Sequence, residues 1–251
     1  MSANRLVYEH RSHIGLVRQS NQDYLACYPE QGVFLLADGM GGHRGGEVAA
    51  RIAVDSAADV LLAGYAREAG DALQGMLLTG QAIEHANLAV RAAAAADASL
   101  KGMGTTLVLA LFRPGRVFFA HVGDSRLYRL RDGVLHCLTR DHSLVQELLD
   151  QGVYRHRLEA HAAGIGDNIL TRSLGVRPEV EADLAECEVK PGDLYLACSD
   201  GLCGRVADTE ILRRMAPEEG LNDIADGLLR AALDAGGRDN ISLILARPEA
   251  V

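Results

Sequence analysis

Four short, largely apolar runs stand out in a chain that is otherwise mixed in polarity, at positions 33–37, 117–122, 194–198 and 241–246. Each is of strand length and too short for an ordinary helix. Because polar residues do not alternate with the apolar ones, both faces of each strand should be buried. The pattern therefore predicts a layered protein with strands in its interior.

Helical periodicity fills much of the remaining chain. Apolar residues recur at helical spacing over positions 47–62, and an alanine-rich stretch at 71–96 predicts a second long helix. Shorter helices are predicted at 143–151, 208–215 and 221–235. These helices come in groups rather than alternating singly with strands.

Further strands are predicted at 15–22, 105–112, 126–130 and 134–138, with Asp132-Gly133 as a hairpin turn between the last two. Together with the run at 117–122, residues 105–138 predict an antiparallel meander. Strands that follow one another in this way predict antiparallel sheets covered by helices, not a β-α-β alternation. We expect residues 1–251 to form a single domain.

Composition narrows the class of protein. A hydrophobic content of 48% with 24% charged residues is ordinary for a globular domain, and no uninterrupted run approaches 18 apolar residues. We therefore expect no membrane span. Residues 1–13 lack the apolar segment of a secretory signal, so a cytoplasmic location is expected.

Charge and cysteine content exclude further classes. The net charge of −9, without a block of basic residues, argues against nucleic acid as the partner. Five cysteines without Cys-x-x-Cys spacing argue against both a disulfide framework and a zinc knuckle. Reduced, packed thiols are expected instead.

Four aspartates adjoin the apolar runs: Asp38, Asp124 and Asp200 follow three of them within two residues, and Asp239 precedes the fourth. Carboxylates gathered at one rim of a sheet repel one another. Mg²⁺ and Mn²⁺ relieve such repulsion because these hard cations prefer oxygen ligands. The pattern predicts a divalent-cation site.

The aspartates belong to an ordered series of motifs that spans nearly the whole chain. With this series the chain resembles the metal-dependent protein phosphatases of the PPM family, the type 2C serine/threonine phosphatases, and especially their compact bacterial members. The motifs are Gly15-Leu16-Val17-Arg18, Asn21-Gln22-Asp23, Asp38-Gly39-Met40-Gly41-Gly42-His43, Gly104-Thr105-Thr106, His121-Val122-Gly123-Asp124-Ser125-Arg126, Asp141-His142-Ser143, Leu170-Thr171-Arg172-Ser173-Leu174-Gly175, Ser199-Asp200-Gly201 and Gly237-Arg238-Asp239-Asn240.

This resemblance implies an α+β, four-layer αββα sandwich of two antiparallel sheets, with a surface flap at about residues 143–170 beside a metal cleft. It implies two Mn²⁺ or Mg²⁺ ions and a weaker third. By the same carry-over, Asp38 bridges both ions, Asp200 and Asp239 hold the first, and the backbone carbonyl of Gly39 holds the second. Asp124, together with Asp200, would support the third ion.

Other residues are assigned by the same resemblance. Arg18 matches the arginine that grips the substrate phosphate, although an isolated arginine would more often form a surface ion pair. Asp23, Gln22 and Asn240 would support the ligands from behind. Gln22 stands where the family often has glutamate, which makes that contact neutral.

The proton donor for the leaving alcohol is open. Many eukaryotic relatives have a histidine directly after the Asp-Gly pair, where this chain has Met40, as bacterial relatives tend to. His43 is a candidate donor, and a structural hydrogen-bonding role for it is equally supported. Metal-bound water is the other candidate donor. His142 is expected to be structural, in a helix-entry turn beside the flap.

The expected function is hydrolysis of phosphoserine and phosphothreonine on proteins by a metal-activated water, in opposition to a cognate bacterial Ser/Thr kinase. The absence of a Cys-x₅-Arg loop excludes a cysteine phosphatase. The alternative is a catalytically weak phosphopeptide-binding or partner-switching regulator of the same fold. A monomer is expected.

Overall fold

The computed structural model describes residues 5–41, 44–65, 72–216 and 220–249. The strands within these ranges are β1 (Arg5–His13), β2 (Asp23–Tyr28), β3 (Val33–Met40), β4 (Gly104–Thr105), β5 (Leu107–Arg113), β6 (Arg116–Val122), β7 (Arg126–Arg131), β8 (Val134–Cys137), β9 (Asp183–Glu188), β10 (Leu194–Cys198) and β11 (Ile241–Glu249). The α-helices are α1 (Gly45–Tyr65), α2 (Ala72–Ala96), α3 (Leu144–Asp150), α4 (Arg157–Ala162), α5 (Asp200–Cys203), α6 (Asp208–Met215) and α7 (Leu221–Asp234).

The strands form two antiparallel sheets. One sheet has the order β1-β11-β10-β7-β8, and the other has the order β2-β3-β5-β6-β9, with the two-residue β4 paired to β3. Three hydrophobic clusters lie between the layers. One packs α1 and α2 on the β3-containing sheet, one packs α5, α6 and α7 on the β11-containing sheet, and one joins the two sheets. The expected four-layer αββα sandwich is confirmed.

The unbroken apolar runs follow from this layering. In β3, Val33 and Leu35 point into the helix-covered cluster, whereas Phe34 and Leu36 point into the cluster between the sheets. Successive side chains of a strand face opposite sides, and here both sides are interior. Strands β5, β10 and β11 are buried on both faces in the same way.

The predicted meander is wrong in its middle. β6 pairs with β5 and β9, whereas β7 pairs with β8 and β10, so the chain leaves one sheet for the other between β6 and β7. The crossing is made at Gly123, whose φ is +103°. The predicted hairpin at Asp132-Gly133 is present, with positive φ at both residues.

One predicted strand is absent, because residues 15–22 form a loop. Three strands were not predicted: β1 and β2, on either side of this loop, and β9. β1 and β9 carry many charged or polar residues because each is the edge strand of its sheet. Edge strands keep one side near solvent, so the apolar signal that marks a central strand is weak there.

Of the predicted helices, α1 and α2 begin and end within about three residues of the expected positions, and α3 is capped by Ser143, whose hydroxyl accepts from the Gln146 amide. The predicted flap region contains a second short helix, α4, that the sequence did not indicate. No helix in the described ranges is long and apolar enough to cross a bilayer.

Candidate active site

Asp38 lies near the end of β3, where its main chain is held on both sides. Its amide donates to Thr106 Oγ1 at 2.9 Å, and its carbonyl accepts from the Thr106 amide at 2.9 Å and from Thr105 Oγ1 at 2.8 Å. Across the ladder, Asp23 of β2 stands opposite Asp38. Two carboxylates therefore face the same end of this sheet.

Gly39 lets helix α1 approach the strand end. A Cβ on Gly39 would stand 2.0 Å from the carbonyl oxygen of Gly46, which lies in the first turn of α1. The Gly39 amide donates to the Gln22 carbonyl at 3.1 Å. A side chain at this position would push the helix away from Asp38, so glycine is required by space.

The second sheet contributes Asp200 and Asp239. Asp200 stands two residues after β10, as the first residue of α5, and Asp239 stands two residues before β11. These strands are antiparallel partners, so both aspartates lie at the same end of the sheet. A Cβ on Gly201 would meet the Asn240 carbonyl oxygen at 1.9 Å. The two segments that carry the aspartates are in close contact there.

The four predicted carboxylates and Asp23 are within electrostatic reach of one another. Burial, followed by the charges of Asp23, Asp200, Asp124 and Asp239, raises the pKa of Asp38 well above its usual range. Burial and neighbouring carboxylates likewise raise the pKa of Asp23 and of Asp124 to about 7. The sandwich has thus gathered like charges in a partly desolvated place, which is costly without a cation.

Arg18 comes to this cluster from the loop between β1 and β2. Its Nη2 lies 2.6 Å from Asp239 Oδ2, and half of its side chain, 51%, is exposed. Asn240 shapes the loop: its Nδ2 donates to the carbonyls of Ile14 and Ser20, both at 2.9 Å, and its Oδ1 accepts from the Gln22 amide at 2.8 Å. The ion pair of Arg18 is therefore with a cluster carboxylate, not with a remote surface group.

Asp23 lies behind the cluster and is 7% exposed. Its Oδ2 accepts from Ser199 Oγ at 2.8 Å, while its Oδ1 is buried without a hydrogen-bond partner among the described residues. The Gln22 side chain reaches the Gly41 carbonyl at 3.5 Å. His43, the candidate proton donor, lies outside the described residues.

The donor set fits hard divalent cations. Every candidate ligand atom is an oxygen, and Asp200 Oδ1 is buried and lacks a hydrogen-bond partner within the described part of the chain. Mutual repulsion of the carboxylates is what a divalent ion relieves, and Mg²⁺ and Mn²⁺ accept carboxylate and carbonyl oxygens. The residues present can therefore hold such ions.

A cleft of about 840 Å³ opens over the cluster. Arg18, Asp124, Asp200 and Asp239 line one part of it, and the flap helix α4 lines another. The α4 residues in this lining are Arg157, Leu158 and His161. The predicted flap therefore does border the site.

A buried carboxylate that the sequence analysis did not assign ties the flap to the cleft. Asp141 forms a two-point ion pair with Arg126, at 2.7 Å for both contacts, and its Oδ2 lies 2.7 Å from Arg157 Nη2. Burial would raise the pKa of Asp141, but these two arginines lower it below its usual value. Asp141 and Arg126 stand in two of the motifs quoted above, which is the signal that could have found them.

A second cluster, also missed, comprises His121, His142 and Asp183. The two imidazole rings stack with centroids 4.6 Å apart, and His142 Nε2 lies 3.4 Å from Asp183 Oδ1. The histidines stand in quoted motifs, but Asp183 begins the missed strand β9. Its place beside His142 could not be seen without the fold.

Comparison with known proteins agrees with this geometry. A family model described as Protein phosphatase 2C matches residues 11–245. The chain is 36% identical over 241 residues to the serine/threonine phosphatase stp of Listeria monocytogenes, covering 94% of each chain. It is 39% identical over 243 residues to the serine/threonine protein phosphatase PstP of Mycobacterium tuberculosis, covering 96% of this chain and 45% of the relative, so it spans about half the length of that protein.

A solved structure gives the same answer. The catalytic domain of a serine/threonine protein phosphatase PstP, in complex with two manganese ions, superposes with a TM-score of 0.83 at 37% identity, covering 98% of this chain and 99% of that one. Fold and sequence similarity thus agree over nearly the whole chain, and the resemblance noted from the motifs is confirmed. The chain belongs to the protein phosphatase 2C family.

Proposed function

We propose that this chain hydrolyses phosphoserine and phosphothreonine on proteins in a metal-dependent reaction. The observation that carries the proposal is the cluster of Asp38, Asp124, Asp200 and Asp239, of which the last three line one cleft together with Arg18. The relatives named as serine/threonine phosphatases support the same activity. Phosphoproteins are accordingly the proposed substrate class.

The carboxylates would hold two divalent ions and a weaker third. In this proposal Asp38 bridges two ions, Asp200 and Asp239 complete the first site, the Gly39 carbonyl belongs to the second, and Asp124 with Asp200 holds the third. Manganese is supported by the complex of the solved relative, and magnesium is proposed on ligand chemistry. When bound, such ions polarise a phosphoryl group and acidify water.

The protein's own part is to bind, orient and balance charge. Arg18 is proposed to grip the phosphate, because its planar guanidinium can donate two parallel hydrogen bonds to one phosphoryl group. Asn240 keeps the Arg18 loop in place through its three hydrogen bonds to main-chain groups, and Asp23 and Gln22 support the ligand-bearing strand ends from behind. His43 is proposed as the donor of a proton to the leaving alcohol.

The biological setting is also proposed. A protein phosphatase of this kind would act in signal transduction, in opposition to a cognate Ser/Thr kinase. We propose that it is a cytoplasmic monomer. Residues 1–251 would form one catalytic domain with a flap at about 143–170. The partner-switching alternative is less well supported, because repulsion within the acidic cluster would destabilise the fold unless bound ions offset it.

The test is release of phosphate from a phosphothreonine peptide with Mn²⁺, with Mg²⁺ and with EDTA. We expect turnover with either metal and none with the chelator. Asp38→Ala should abolish turnover in a protein that remains folded, whereas Asp59→Ala, at an exposed position of α1, should leave it unchanged. Metal-independent turnover, or normal turnover in Asp38→Ala, would contradict the proposal.

A further inference from the structure

Three side chains outside the aspartate cluster, those of His121, His142 and Asp183, have the types of a metal site, and each offers one atom within 4.8 Å of the others. Their hydrogen bonds oppose that function. His142 Nδ1 accepts from the Gly123 amide, so the proton of a neutral ring lies on Nε2, which is 3.4 Å from Asp183 Oδ1 and 3.3 Å from Arg172 Nη1. The Arg172 guanidinium already pairs with Asp183 at 2.9 Å. The three groups instead form a packed polar cluster that orients the His142 ring.

His142 holds Gly123 from two sides. Its backbone amide donates to the Gly123 carbonyl at 2.9 Å, and its Nδ1 accepts from the Gly123 amide at 3.2 Å. Gly123 is the tight crossing point between the sheets, where a Cβ would lie 2.5 Å from Thr106. Asp124 is the next residue. The direction of the Asp124 carboxylate therefore depends on a preceding residue whose main-chain N–H and C=O are both hydrogen-bonded to His142.

The ring of His142 is in turn fixed by its surroundings. It is 5% exposed and stacks on His121, whose own Nε2 lies 2.7 Å from the Arg140 carbonyl. Asp183 stands at the other edge of the ring, 47% exposed, and is itself held by Arg172. The ring thus has one orientation and one preferred tautomer, which is the arrangement that supports a ligand from behind.

His142 also touches the flap. Its carbonyl accepts from the Thr171 amide at 2.9 Å, and the following residue, Ser143, caps α3. Both ends of the flap region therefore meet at the residue that holds Gly123. His142 is therefore the residue that connects the ends of the flap to the Asp124 turn.

We propose that His142, oriented by Asp183, is a positioning residue that sets the Asp124 carboxylate for the weakest-bound metal ion. This inference rests on the proposed function insofar as Asp124 is a metal ligand. His142 itself touches neither ion nor substrate in this proposal. Its effect should therefore appear in metal affinity and should require Asp124.

The test is calorimetric titration of Mn²⁺ into the whole protein and its variants. Asp124→Asn defines the binding event that depends on Asp124. His142→Gln removes the acceptor at the Nδ1 position and should weaken that event about tenfold or more. His142→Asn places an amide oxygen near the Nδ1 position and should retain affinity much closer to that of the wild type.

Two further variants separate positioning from a general structural role. The double variant Asp124→Asn/His142→Gln should bind Mn²⁺ like Asp124→Asn alone, because His142 acts through Asp124; additional weakening there would overturn the proposal. If His142→Gln fails to fold, Asp183→Asn tests the contact between Asp183 and His142 instead, because Asp183 is half exposed. It should weaken the same event by a few-fold.

Two further results would contradict a positioning role for His142. Wild-type Mn²⁺ titrations in folded His142→Gln and Asp183→Asn, or in Asp124→Asn, would overturn the inference. Its failure is distinguishable from failure of the proposed function, because binding is measured without turnover. A protein that shows the predicted binding pattern but hydrolyses no phosphopeptide would contradict the function alone.

Discussion

At the scale of single residues, Arg18 has the most direct consequence. Its guanidinium already lies against Asp239 at the rim of the cleft, at 2.6 Å, while half of the side chain faces solvent. A cation in this place offsets part of the acidic cluster and presents donors to an incoming phosphate. The two roles call for different properties of arginine, namely charge and planar geometry.

Arg18→Lys separates these two properties. Lysine keeps the charge but cannot donate two parallel hydrogen bonds, so we expect kcat/KM to fall about 10- to 100-fold, equivalent to about 1.5–3 kcal/mol, mainly through KM. The measurement is steady-state hydrolysis of a phosphothreonine peptide. Arg51→Lys, at an exposed position of α1, is the matched control. An unchanged kcat/KM in Arg18→Lys would argue against phosphate binding by this residue.

The buried His142 predicts a pH effect on stability. Burial first, and then the charges of His121 and Arg172, lower the pKa of His142 to about 4 despite the opposing carboxylate of Asp183. The unfolded value is about 6.5. Because the unfolded state binds the proton more tightly, the stability contribution is full above about pH 6.5 and is lost as pH falls towards 4.

Comparison of the wild type with His142→Asn isolates this contribution, since other groups titrate in both proteins. We expect the difference in free energy of unfolding between them to shrink by up to about 3 kcal/mol between pH 7 and pH 4. Urea unfolding at each pH measures it. A constant difference across that range would show that His142 is not held neutral by the fold.

At the scale of elements, the helices are matched to the sheet by the size of single side chains. In α2, a Cβ on Gly75 would stand 2.6 Å from the ring of the buried Phe118. A Cβ on Gly80 of the same helix would meet Leu184 at an ordinary 3.5 Å. Of these two glycines, only Gly75 is required for the helix to pack against Phe118, whereas the space at Gly80 can accept a methyl group.

Alanine substitution should separate them. Gly80→Ala is expected to raise the free energy of unfolding by about 0.5–1 kcal/mol, because alanine has the higher helix propensity. Gly75→Ala gains the same propensity but must displace a buried ring, so a net loss of about 1–2 kcal/mol is expected. Urea unfolding followed by circular dichroism measures both. Equal stabilisation by the two substitutions would mean that α2 shifts freely on the sheet.

At the scale of the whole molecule, the acidic cluster is made up of residues from both sheets. Asp38 comes from one sheet and Asp200 and Asp239 from the other, so ions held between them would tie the two halves together. Repulsion among these carboxylates opposes folding when no cation is bound. Metal binding and global stability should therefore be linked.

Addition of Mn²⁺ should raise the melting temperature, and EDTA should reverse the change. For one site at a free ion concentration 100 times Kd, the expected gain is about 2.7 kcal/mol. Asp239→Asn should reduce the Mn²⁺-dependent shift, whereas Asp59→Asn should not. A melting temperature insensitive to Mn²⁺ in the wild type would contradict a site that bridges the sheets.

Much of the fold could be predicted from local pattern alone. The central strands β3, β10 and β11 are unbroken apolar runs because both of their faces are interior, and α1, α2 and α7 repeat their apolar residues every three or four positions. The charged edge strands β1 and β9 carry no such signal. The switch between sheets at Gly123 is equally silent, since a tight turn within one sheet has the same local sequence.

For the site, the residue types and their order can be read from the sequence alone: aspartates at strand ends, a glycine after Asp38 and an arginine at position 18. Those follow from local chemistry, because a cation site requires oxygen ligands and a close approach requires glycine. Which residues support them from behind depends on long-range packing. Asp141 under the flap and Asp183 beside His142 are distant in sequence from what they hold, and their contacts in the folded chain, not any local pattern, give them their effect.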